Sequence, residues 1–344
     1  MSQDEISTNT LVDDQSYPKC LVILVNWRRA EDTIACLDSL DLLQGCNWVA
    51  AVCENGSGDV SKTLLRNYFL KRGVESDLCC DEEGVAGFAY RDNDKEDPRY
   101  FLMLSDTNRG FAGGNNLAYR LAIANHCFDY VWFLNNDTEV EINTLSLMLE
   151  HMQSDARIGI CGSTLVYAHD RKTIQALGGA VYKPWVGLLT ELGQGGTWPQ
   201  PVDQASVEAK MSYVSGASML TSTVFLERVG LMSEDYFLYY EELDWAMRAK
   251  RDGFRLGYAS AAVVYHKEGA VLGSGKSIQR SKLAEYYGLR NKLVITRKYF
   301  PWALPTVLAV GWLQVIKRLL QRQWSHARLM AAILLGLRRS PPLG

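Results

Sequence analysis

The sequence predicts an α/β protein whose mostly parallel sheet is flanked by helices and followed by a helical C-terminal extension. Short continuous apolar runs, of which Cys20–Val25 is the first, alternate with segments whose apolar residues recur at helical spacing. With 344 residues, 47% of them hydrophobic, the chain can bury the core of one large domain with an appendage, or of two small ones. The charge balance also changes sign towards the C-terminus, which separates the extension from the body.

The first half of the chain shows the alternation most clearly. Strands that alternate with helices form βαβ units, in which the sheet is mainly parallel. The predicted elements are, in order, the strand Cys20–Val25, the helix Ala30–Leu43, the strand Trp48–Cys53, the helix Val60–Leu70, the strand Tyr100–Leu104, the helix Asn115–Asn125 and the strand Tyr130–Leu134.

Two less regular segments interrupt or follow this pattern. Residues 75–98 hold nine acidic residues and little periodicity, which predicts an acidic loop inserted at the surface. Residues 178–201 are rich in Gly, Pro and Trp and predict a hairpin with a mobile flap. A helix over Glu241–Asp252 and strands over Arg255–Ala259 and Ala262–His266 complete the predicted domain.

Charge divides the chain into an acidic body and a basic extension. Residues 276–344 hold thirteen Lys and Arg and one acid, so residues 1–275 hold twenty-three basic and thirty-eight acidic residues. A basic extension of this kind meets a membrane, a nucleic acid or the acidic body itself. We therefore expect a polar tail over residues 1–18, a globular domain over 19–275 and a helical extension over 276–344.

The extension favours attachment to a membrane surface. Ser281–Tyr299 predicts a basic amphipathic helix, and two apolar stretches follow at Tyr299–Ile316 and Ala327–Leu337. A spanning helix needs about 20 apolar residues, and Pro301 and Pro305 interrupt the first stretch. We expect the extension to lie in the membrane interface, with packing against the body and a true span as the alternatives.

Cysteine usage and the N-terminus predict a cytoplasmic protein. The eight cysteines form no C-x-x-C pair, so a zinc site is not expected. Residues 1–17 are polar and acidic and lack the apolar segment of a signal peptide. We therefore expect reduced cysteines.

Polar motifs stand where strands are predicted to end, which is where ligands bind in open α/β sheets. Glu54–Asp59 is a polar turn whose carboxylate can accept from a nucleoside, and Asn108–Asn116 holds three glycines that let the backbone approach a phosphate. In Leu134–Thr138, one carboxylate flanked by amides suits a divalent ion. Each of these motifs is also compatible with an ordinary turn or helix start.

A fourth motif, Tyr239–Trp245, places three acids within four positions. Three roles would explain Glu241, Glu242 and Asp244: they bind a shared cation, they act in proton transfer, or they complement the dipole of a helix that begins there. His266 ends a predicted strand and is a candidate metal ligand, although a lone histidine is more often structural.

In this order the motifs resemble the family-two glycosyltransferases with the GT-A fold. The matching runs are Glu-Asn-Gly-Ser, Asn-Arg-Gly-Phe-Ala-Gly-Gly-Asn-Asn, Asn-Asn-Asp-Thr, Tyr-Glu-Glu-Leu-Asp-Trp and Tyr-His, over residues 19–269. The run Tyr-Tyr-x-x-Arg-Asn, often found after the catalytic domain of the family, follows at 286–291. Within the family, the chain resembles bacterial rhamnosyltransferases of cell-surface polysaccharide assembly.

The resemblance implies an inverting, metal-dependent hexosyltransferase. Asp137 and His266 would bind Mg²⁺ or Mn²⁺, with Asn135 in place of the first acid of the family's Asp-x-Asp motif. The general base stays open between Glu242, which replaces the usual Asp, Asp244 and Glu241. The implied nucleotide and donor site consists of Val25, Asn26, Glu54, Asn55, Ser57, Asn108, Arg109, Gly110, Gly113, Gly114, Asn116 and Asn136.

The implied partners are a nucleotide sugar, a glycan and a membrane. The donor would be dTDP-rhamnose or a UDP sugar, and the acceptor a glycan or polyprenyl-linked glycan at the inner face of the cell membrane, in cell-wall polysaccharide synthesis. No nucleic acid is expected, because the apolar runs of the extension have no use there, and an oligomer is compatible with the sequence. Two alternatives remain: a nucleotide-sugar-binding protein without catalysis, and a nucleotidyltransferase on a related fold.

Overall fold

The computed structural model describes residues 17–78, 85–91, 97–267, 281–338 and 340–341. The predicted strands and helices of the first half are present, and the helix predicted from Asn115 begins five residues earlier. The elements up to residue 140 are β1 (Lys19–Asn26), α1 (Ala30–Leu40), β2 (Asn47–Asn55), α2 (Ser61–Leu70), β3 (Val74–Leu78), β4 (Ala86–Arg91), β5 (Tyr100–Ser105), α3 (Gly110–Ile123), β6 (Tyr130–Asn135) and β7 (Thr138–Val140).

The second half adds antiparallel strands and the C-terminal helices. Its elements are α4 (Thr144–Ser154), β8 (Ile158–Tyr167), β9 (Asp170–Leu177), β10 (Gly179–Lys183), β11 (Leu188–Glu191), α5 (Gln204–Lys210), β12 (Tyr213–Val214), β13 (Ser218–Ser222), α6 (Thr223–Val229), α7 (Glu241–Arg251), β14 (Arg255–His266), α8 (Lys282–Tyr299), α9 (Leu304–Leu320) and α10 (Trp324–Leu334).

The main sheet is mixed, with a parallel centre. Its strand order is β3-β4-β5-β2-β1-β6-β13-β8-β14-β7, and β9 pairs with β8. The strands β5, β2, β1 and β6 are parallel, as are β8 and β14, and the remaining pairs in this sheet are antiparallel. The predicted fold class is therefore confirmed, and the parallel part is confined to these two groups of strands.

Alternate residues of β1 enter apolar clusters on the two faces of the sheet. Leu21 and Ile23 belong to one cluster, and Cys20, Val22 and Leu24 belong to the other. Burial on both faces explains why this strand is a continuous apolar run rather than an alternating one.

The segment predicted as an acidic loop over residues 75–98 contains two strands, so that prediction is wrong for its described part. β3 and β4 pair antiparallel and extend the sheet at its edge. Tyr90 of β4 is fully buried and stacks on Phe69, while Glu75 of β3 accepts hydrogen bonds from Arg66 and Tyr90. Because Glu75 is paired with Arg66, its charge does not prevent strand formation, and the charge pattern alone therefore failed to predict β3. Residues 79–84 and 92–96 lie outside the described part.

The hairpin predicted within residues 178–201 is confirmed as β10 and β11, which form a small second sheet with β12. The two strands predicted around residues 255–266 are one strand, β14, whose pairing with β8 shifts register between Ala259 and Val263. This irregularity explains why the apolar pattern breaks there.

The C-terminal extension is a three-helix unit with its own apolar cluster. Ser281 caps α8, whose predicted bounds are confirmed. Pro301 opens a short 3-10 turn and Pro305 lies in the first turn of α9, where a proline is tolerated because its missing N–H has no intrahelical partner. The expectation that the prolines interrupt the apolar stretch is therefore confirmed for Pro301, which lies between α8 and α9, and wrong for Pro305.

One helix of the extension reaches membrane-spanning length. Among the described residues, Pro301–Leu320 alone has the length and apolar composition of a span, with 22% of the tested window buried. Length and composition do not distinguish a span from a helix lying on a surface, and the face of α9 that carries Val307, Gly311 and Val315 is buried.

Candidate active site

The parallel strands bring the predicted polar motifs to one edge of the sheet. The pairing register places Asn26 of β1 opposite Glu54 of β2, and Val25 opposite Asn135 of β6. Asn55 lies opposite Ser105 at the end of β5. Because the carboxyl ends of parallel strands meet at the same edge, residues distant in sequence become neighbours there.

Buried polar side chains hold the loops of this edge in place. The backbone N–H of Ser57 donates to Oε1 of Glu54 at 2.9 Å, and Oγ of Ser57 accepts from the N–H of Arg28 at 2.9 Å. The hydroxyl of Thr33 donates to Asn26 at 2.9 Å and accepts from Asn136 at 2.9 Å. Asn26, Glu54 and Ser57 are thus buried supports of the edge, and their contact with a nucleotide stays a prediction.

The loop before α3 is built around Asn55. Its amide donates to Oδ1 of Asn108 at 3.2 Å and to the carbonyl of Gly110 at 3.0 Å, and its oxygen accepts from the N–H of Arg109 at 3.0 Å. Asn108 and Arg109 remain half-buried. Their side chains are therefore partly open to solvent at the carboxyl edge, where a donor would bind.

Close packing within the protein explains two of the three glycines, Gly110 and Gly114, which were predicted to approach a phosphate. Gly110 has a φ of +74°, and a Cβ there would collide with the carbonyl of Phe237. A Cβ on Gly114 would lie 2.8 Å from Val25, which lets α3 pack closely on β1. Asn116 is buried and donates to the carbonyl of Met232 at 2.8 Å, so its amide nitrogen is used within the protein, and its contact with the donor stays a prediction.

Asp137 and His266 form a close pair at the ends of β6 and β14. Nε2 of His266 lies 3.1 Å from Oδ1 of Asp137 and 3.3 Å from Nδ2 of Asn135, while Nδ1 lies 3.0 Å from Oε1 of Gln175. Burial raises the pKa of Asp137, but the hydrogen bond and charge of His266 outweigh burial and lower this pKa below its ordinary value. Asp137 is therefore a carboxylate at neutral pH.

The donor set of this pair fits a divalent ion. When Gln175 accepts the Nδ1 proton, Nε2 and the carboxylate of Asp137 are left to share either a proton or a cation. In the described part of the chain no third His, Cys, Asp or Glu joins them, so phosphate oxygens or water would complete the shell.

Glu241 and Glu242 open α7 as adjacent carboxyl groups with raised pKa values. Burial raises the pKa of Glu242 to about 7. Burial and the charge of Glu242 hold the pKa of Glu241 well above its ordinary value, and Oε2 of Glu241 has no hydrogen-bond partner among the described residues. Glu241 is fully buried whereas Glu242 is half-buried, so Glu242 is the one that an acceptor can reach.

Short links connect Glu242 to the Asp137–His266 pair. A Cβ on Gly216 would collide with Oε1 of Glu242, so this carboxyl group lies directly on the Gly216 backbone. The next residue, Ala217, accepts a hydrogen bond from the N–H of Asn135 at 3.0 Å. Asn135 in turn contacts His266, so the candidate base and the candidate metal ligands share one edge of the sheet.

Asp244 is excluded as the base by its contacts. It is fully buried and accepts hydrogen bonds from Lys298 at 2.6 Å, Tyr299 at 2.8 Å, Arg248 at 2.9 Å and Tyr236 at 3.0 Å. Burial raises its pKa, but these hydrogen bonds, the one from Lys298 first, outweigh burial and lower this pKa. Both of its oxygens thus accept hydrogen bonds within the protein, at the contact between α7 of the acidic body and α8 of the basic extension.

A family model described as Glycosyl transferase family 2 matches residues 88–197, which include the glycine loop and Asp137. Over this segment, about a third of its length, the chain is similar to the family-two glycosyltransferases. The Low-salt glycan biosynthesis hexosyltransferase Agl10 of Haloferax volcanii is 23% identical over 281 residues, which cover 76% of this chain and 85% of that protein.

Two solved structures support the GT-A fold of this chain. The mannosyltransferase PcManGT from Pyrobaculum calidifontis, in complex with GDP-Man and Mn²⁺, is 14% identical with a TM-score of 0.52, over 93% of this chain and 87% of that one. GalNAc-T7 with UDP, GalNAc and Mn²⁺ is 11% identical with a TM-score of 0.57, over 84% of this chain and 50% of that one. At these identities the likeness shows the fold alone.

Some residues of the glycosyltransferase site carry no sequence signal. Gln175 lies inside β9 and holds the ring of His266, and Thr33 lies in α1 and links Asn26 to Asn136. Gly216 precedes β13 and supports Glu242. Only the fold brings them to the edge, because each is a common residue in an unremarkable segment.

Proposed function

We propose that the protein transfers a hexose from a nucleoside-diphosphate donor to a hydroxyl group of a glycan or lipid-linked glycan, with inversion and with the help of a divalent ion. The observation that carries the proposal is the placement of two different groups at one edge of the sheet. Asp137 and His266 suit the diphosphate end of a donor, and half-buried Glu242 suits the acceptor hydroxyl.

Asp137 and His266 act on the leaving group in this proposal, and Glu242 acts on the nucleophile. Asp137 and His266 would hold an Mg²⁺ or Mn²⁺ ion, which neutralises charge that develops on a departing nucleoside diphosphate. Glu242 removes the proton from the acceptor hydroxyl as the acceptor oxygen bonds to the anomeric carbon. The bond from that carbon to the diphosphate breaks in the same displacement, and the opposite configuration results.

The donor is proposed as a hexose nucleotide, with rhamnose as a narrower candidate. Agl10 is named as a hexosyltransferase of glycan biosynthesis, and the two structural neighbours hold GDP-Man and UDP with GalNAc. These names support a nucleotide-hexose donor and an acceptor in glycan assembly. Rhamnose, a deoxyhexose, and cell-wall polysaccharide as the product rest on the sequence resemblance.

We further propose that the extension attaches the enzyme to the inner face of the cell membrane. Lys317, Arg322, Arg328 and Arg338 are exposed on α9, α10 and the residues after them, and such cations attract anionic lipid headgroups. The extension also exposes large apolar side chains, which together we call its outer face. Its exposed side chains are Trp302, Trp312, Leu313, Ile316, Leu319, Leu320, Trp324, Leu335 and Leu337.

A donor screen tests the enzymatic proposal. Purified protein is incubated with GDP-, UDP- and dTDP-hexoses, with and without Mn²⁺, and release of nucleoside diphosphate is measured. We expect one nucleotide class to be hydrolysed only with the metal, and Asp137→Ala to abolish that release. Binding without release would favour the non-catalytic alternative, and release of pyrophosphate from a nucleoside triphosphate would favour a nucleotidyltransferase.

Vesicle pelleting tests the membrane proposal. A variant with Leu313→Ser, Ile316→Ser and Leu320→Ser keeps the buried face of α9 and removes apolar area from the outer face. We expect it to lose binding to vesicles that contain anionic lipid, while Leu42→Ser, which changes an exposed leucine on the body, retains binding. Equal pelleting of both variants would contradict the proposed attachment.

A further inference from the structure

The segment that leads into Glu241 and Glu242 has an unusual backbone. Phe237, Tyr239 and Tyr240 have φ values of 61°, 70° and 75°. This left-handed region is unfavourable for residues with a Cβ, because the Cβ crowds the following carbonyl oxygen. Three such residues within four positions stay ordered only where their surroundings fix them.

Asn291 of α8 fixes this segment through hydrogen bonds to its backbone. Its amide nitrogen lies 2.7 Å from the carbonyl oxygen of Tyr236, 2.8 Å from that of Leu238 and 3.0 Å from that of Tyr239. Asn291 is fully buried, and its own oxygen accepts from Arg290 at 2.6 Å. Three carbonyl groups therefore converge on one amide with two protons.

The loop that leads into α3, residues 108–111, which we call the donor loop, also contacts this segment. The N–H of Phe111 donates to the carbonyl of Phe237 at 2.8 Å, and Gly110 permits this approach because it lacks a Cβ. The ring of Phe237 stacks on Tyr287 of α8, with centroids 4.7 Å apart and planes inclined by 16°. The segment is thus clamped between the donor loop and the extension.

We propose that Asn291 is a positioning residue that holds the segment Tyr236–Tyr240 in its left-handed conformation and thereby places Glu242 at the acceptor hydroxyl. The inference rests on the proposed role of Glu242 as the base. It makes the extension a part of the active site, in addition to its proposed membrane contact.

The contacts of Asp244 separate this role from general stability. Lys298 and Tyr299 already tie α8 to α7 through Asp244, independently of Asn291. Loss of the Asn291 amide therefore loosens the segment without releasing the helix. A carboxylate at position 291 cannot donate to the three carbonyls and repels them, whereas its size matches that of the amide.

The first arm of the test is Asn291→Asp in the full-length protein, assayed with the donor and acceptor used for the wild type. We expect kcat to fall about 100-fold, because a displacement of about 1 Å of a catalytic group has that effect. The KM for the donor stays unchanged, since Asp137 and His266 are untouched.

Thr296→Val is the matched control. Thr296 is buried on the same helix, its hydroxyl donates to the carbonyl of Lys292 at 2.7 Å, and it lies 3.4 Å from the hydroxyl of Tyr182. This variant loses a buried hydrogen bond of α8 and should keep the wild-type kcat. An equal loss of kcat in both variants would overturn the positioning role and assign the effect to the helix as a whole.

The second arm measures amide hydrogen exchange over residues 237–242 and needs no activity. Asn291→Asp is expected to raise exchange there and leave the strands β1 and β2 unchanged. If this variant does not fold, Asn291→Ser, which is uncharged and keeps one donor, takes its place in both arms. Unchanged exchange, or a wild-type kcat in a folded variant, overturns the inference; absence of transfer by the wild type overturns only the proposed function.

Discussion

Replacement of Glu242 by Gln should abolish transfer and stabilise the fold at the same time. Burial raises the pKa of this carboxyl group from 4.5 to about 7 in the folded protein. At about 1.4 kcal/mol per pH unit, the difference corresponds to about 3 kcal/mol between the two protonation states. Because the side chain is half-buried and water screens part of its charge, this figure is an upper bound.

The sign of the effect on stability follows from proton binding. Between pH 4.5 and about pH 7 the folded protein keeps a proton that the unfolded chain has lost, so stability falls as pH rises through this window. Gln cannot ionise, so the Gln variant does not lose this part of its stability as pH rises. Glu242→Gln should therefore match the wild type near pH 4.5 and exceed its free energy of unfolding by up to about 3 kcal/mol above pH 7.

Denaturant unfolding at pH 5 and pH 8 checks the stability part, and donor turnover checks the catalytic part. Turnover should fall by about 100- to 10,000-fold, the usual contribution of a general base. Glu150→Gln makes the same chemical change at an exposed site of α4 and should alter neither quantity. Near-wild-type turnover of Glu242→Gln would refute the assignment of the base, and an unchanged pH dependence of unfolding would refute the burial argument.

Three further substitutions test the supports of the site. Gln175→Ala should weaken activation by Mn²⁺ about 10- to 100-fold in a metal titration of donor hydrolysis, because a residue that orients a metal-binding histidine has that effect. Asp244→Asn should lower the free energy of unfolding by roughly 3 kcal/mol, measured in denaturant, because Lys298 and Arg248 lose their buried anion. Gly110→Ala should cost more stability than Gly58→Ala, since both glycines have positive φ but only a Cβ at Gly110 collides with a neighbour; equal losses would show that the Phe237 contact is unimportant.

The sequence predicts the parallel centre of the fold and the edge that carries the site. β1 is a continuous apolar run because both of its faces are buried, and such runs are visible without a structure. Asn26, Glu54 and Asn135 follow directly from this, since they end neighbouring parallel strands. Their common edge is a consequence of parallel pairing, which the alternation of strands and helices already indicates.

Contacts between distant segments could not be predicted in the same way. Asn116 stands in a motif that resembles a donor site, yet its amide is used by the carbonyl of Met232. Asp244 is one of three acids in four positions, and only the packing of α8 against α7 shows that it is occupied. A sequence motif can predict that a polar residue lies near a site. It does not predict which distant residue will satisfy the hydrogen bonds of that side chain.

The two roles proposed for the extension fall on different faces of it, which decides how membrane attachment has to be tested. The inner face holds the segment before Glu242 through Asn291 and binds Asp244 through Lys298. The outer face presents its apolar and basic side chains to solvent. Deletion of residues 276–344 would remove both faces and stop transfer even where the membrane is irrelevant to the chemistry. Substitutions confined to Leu313, Ile316 and Leu320 alter the outer face alone, so an enzyme that no longer pellets with vesicles but still transfers sugar to a soluble acceptor would separate anchoring from catalysis.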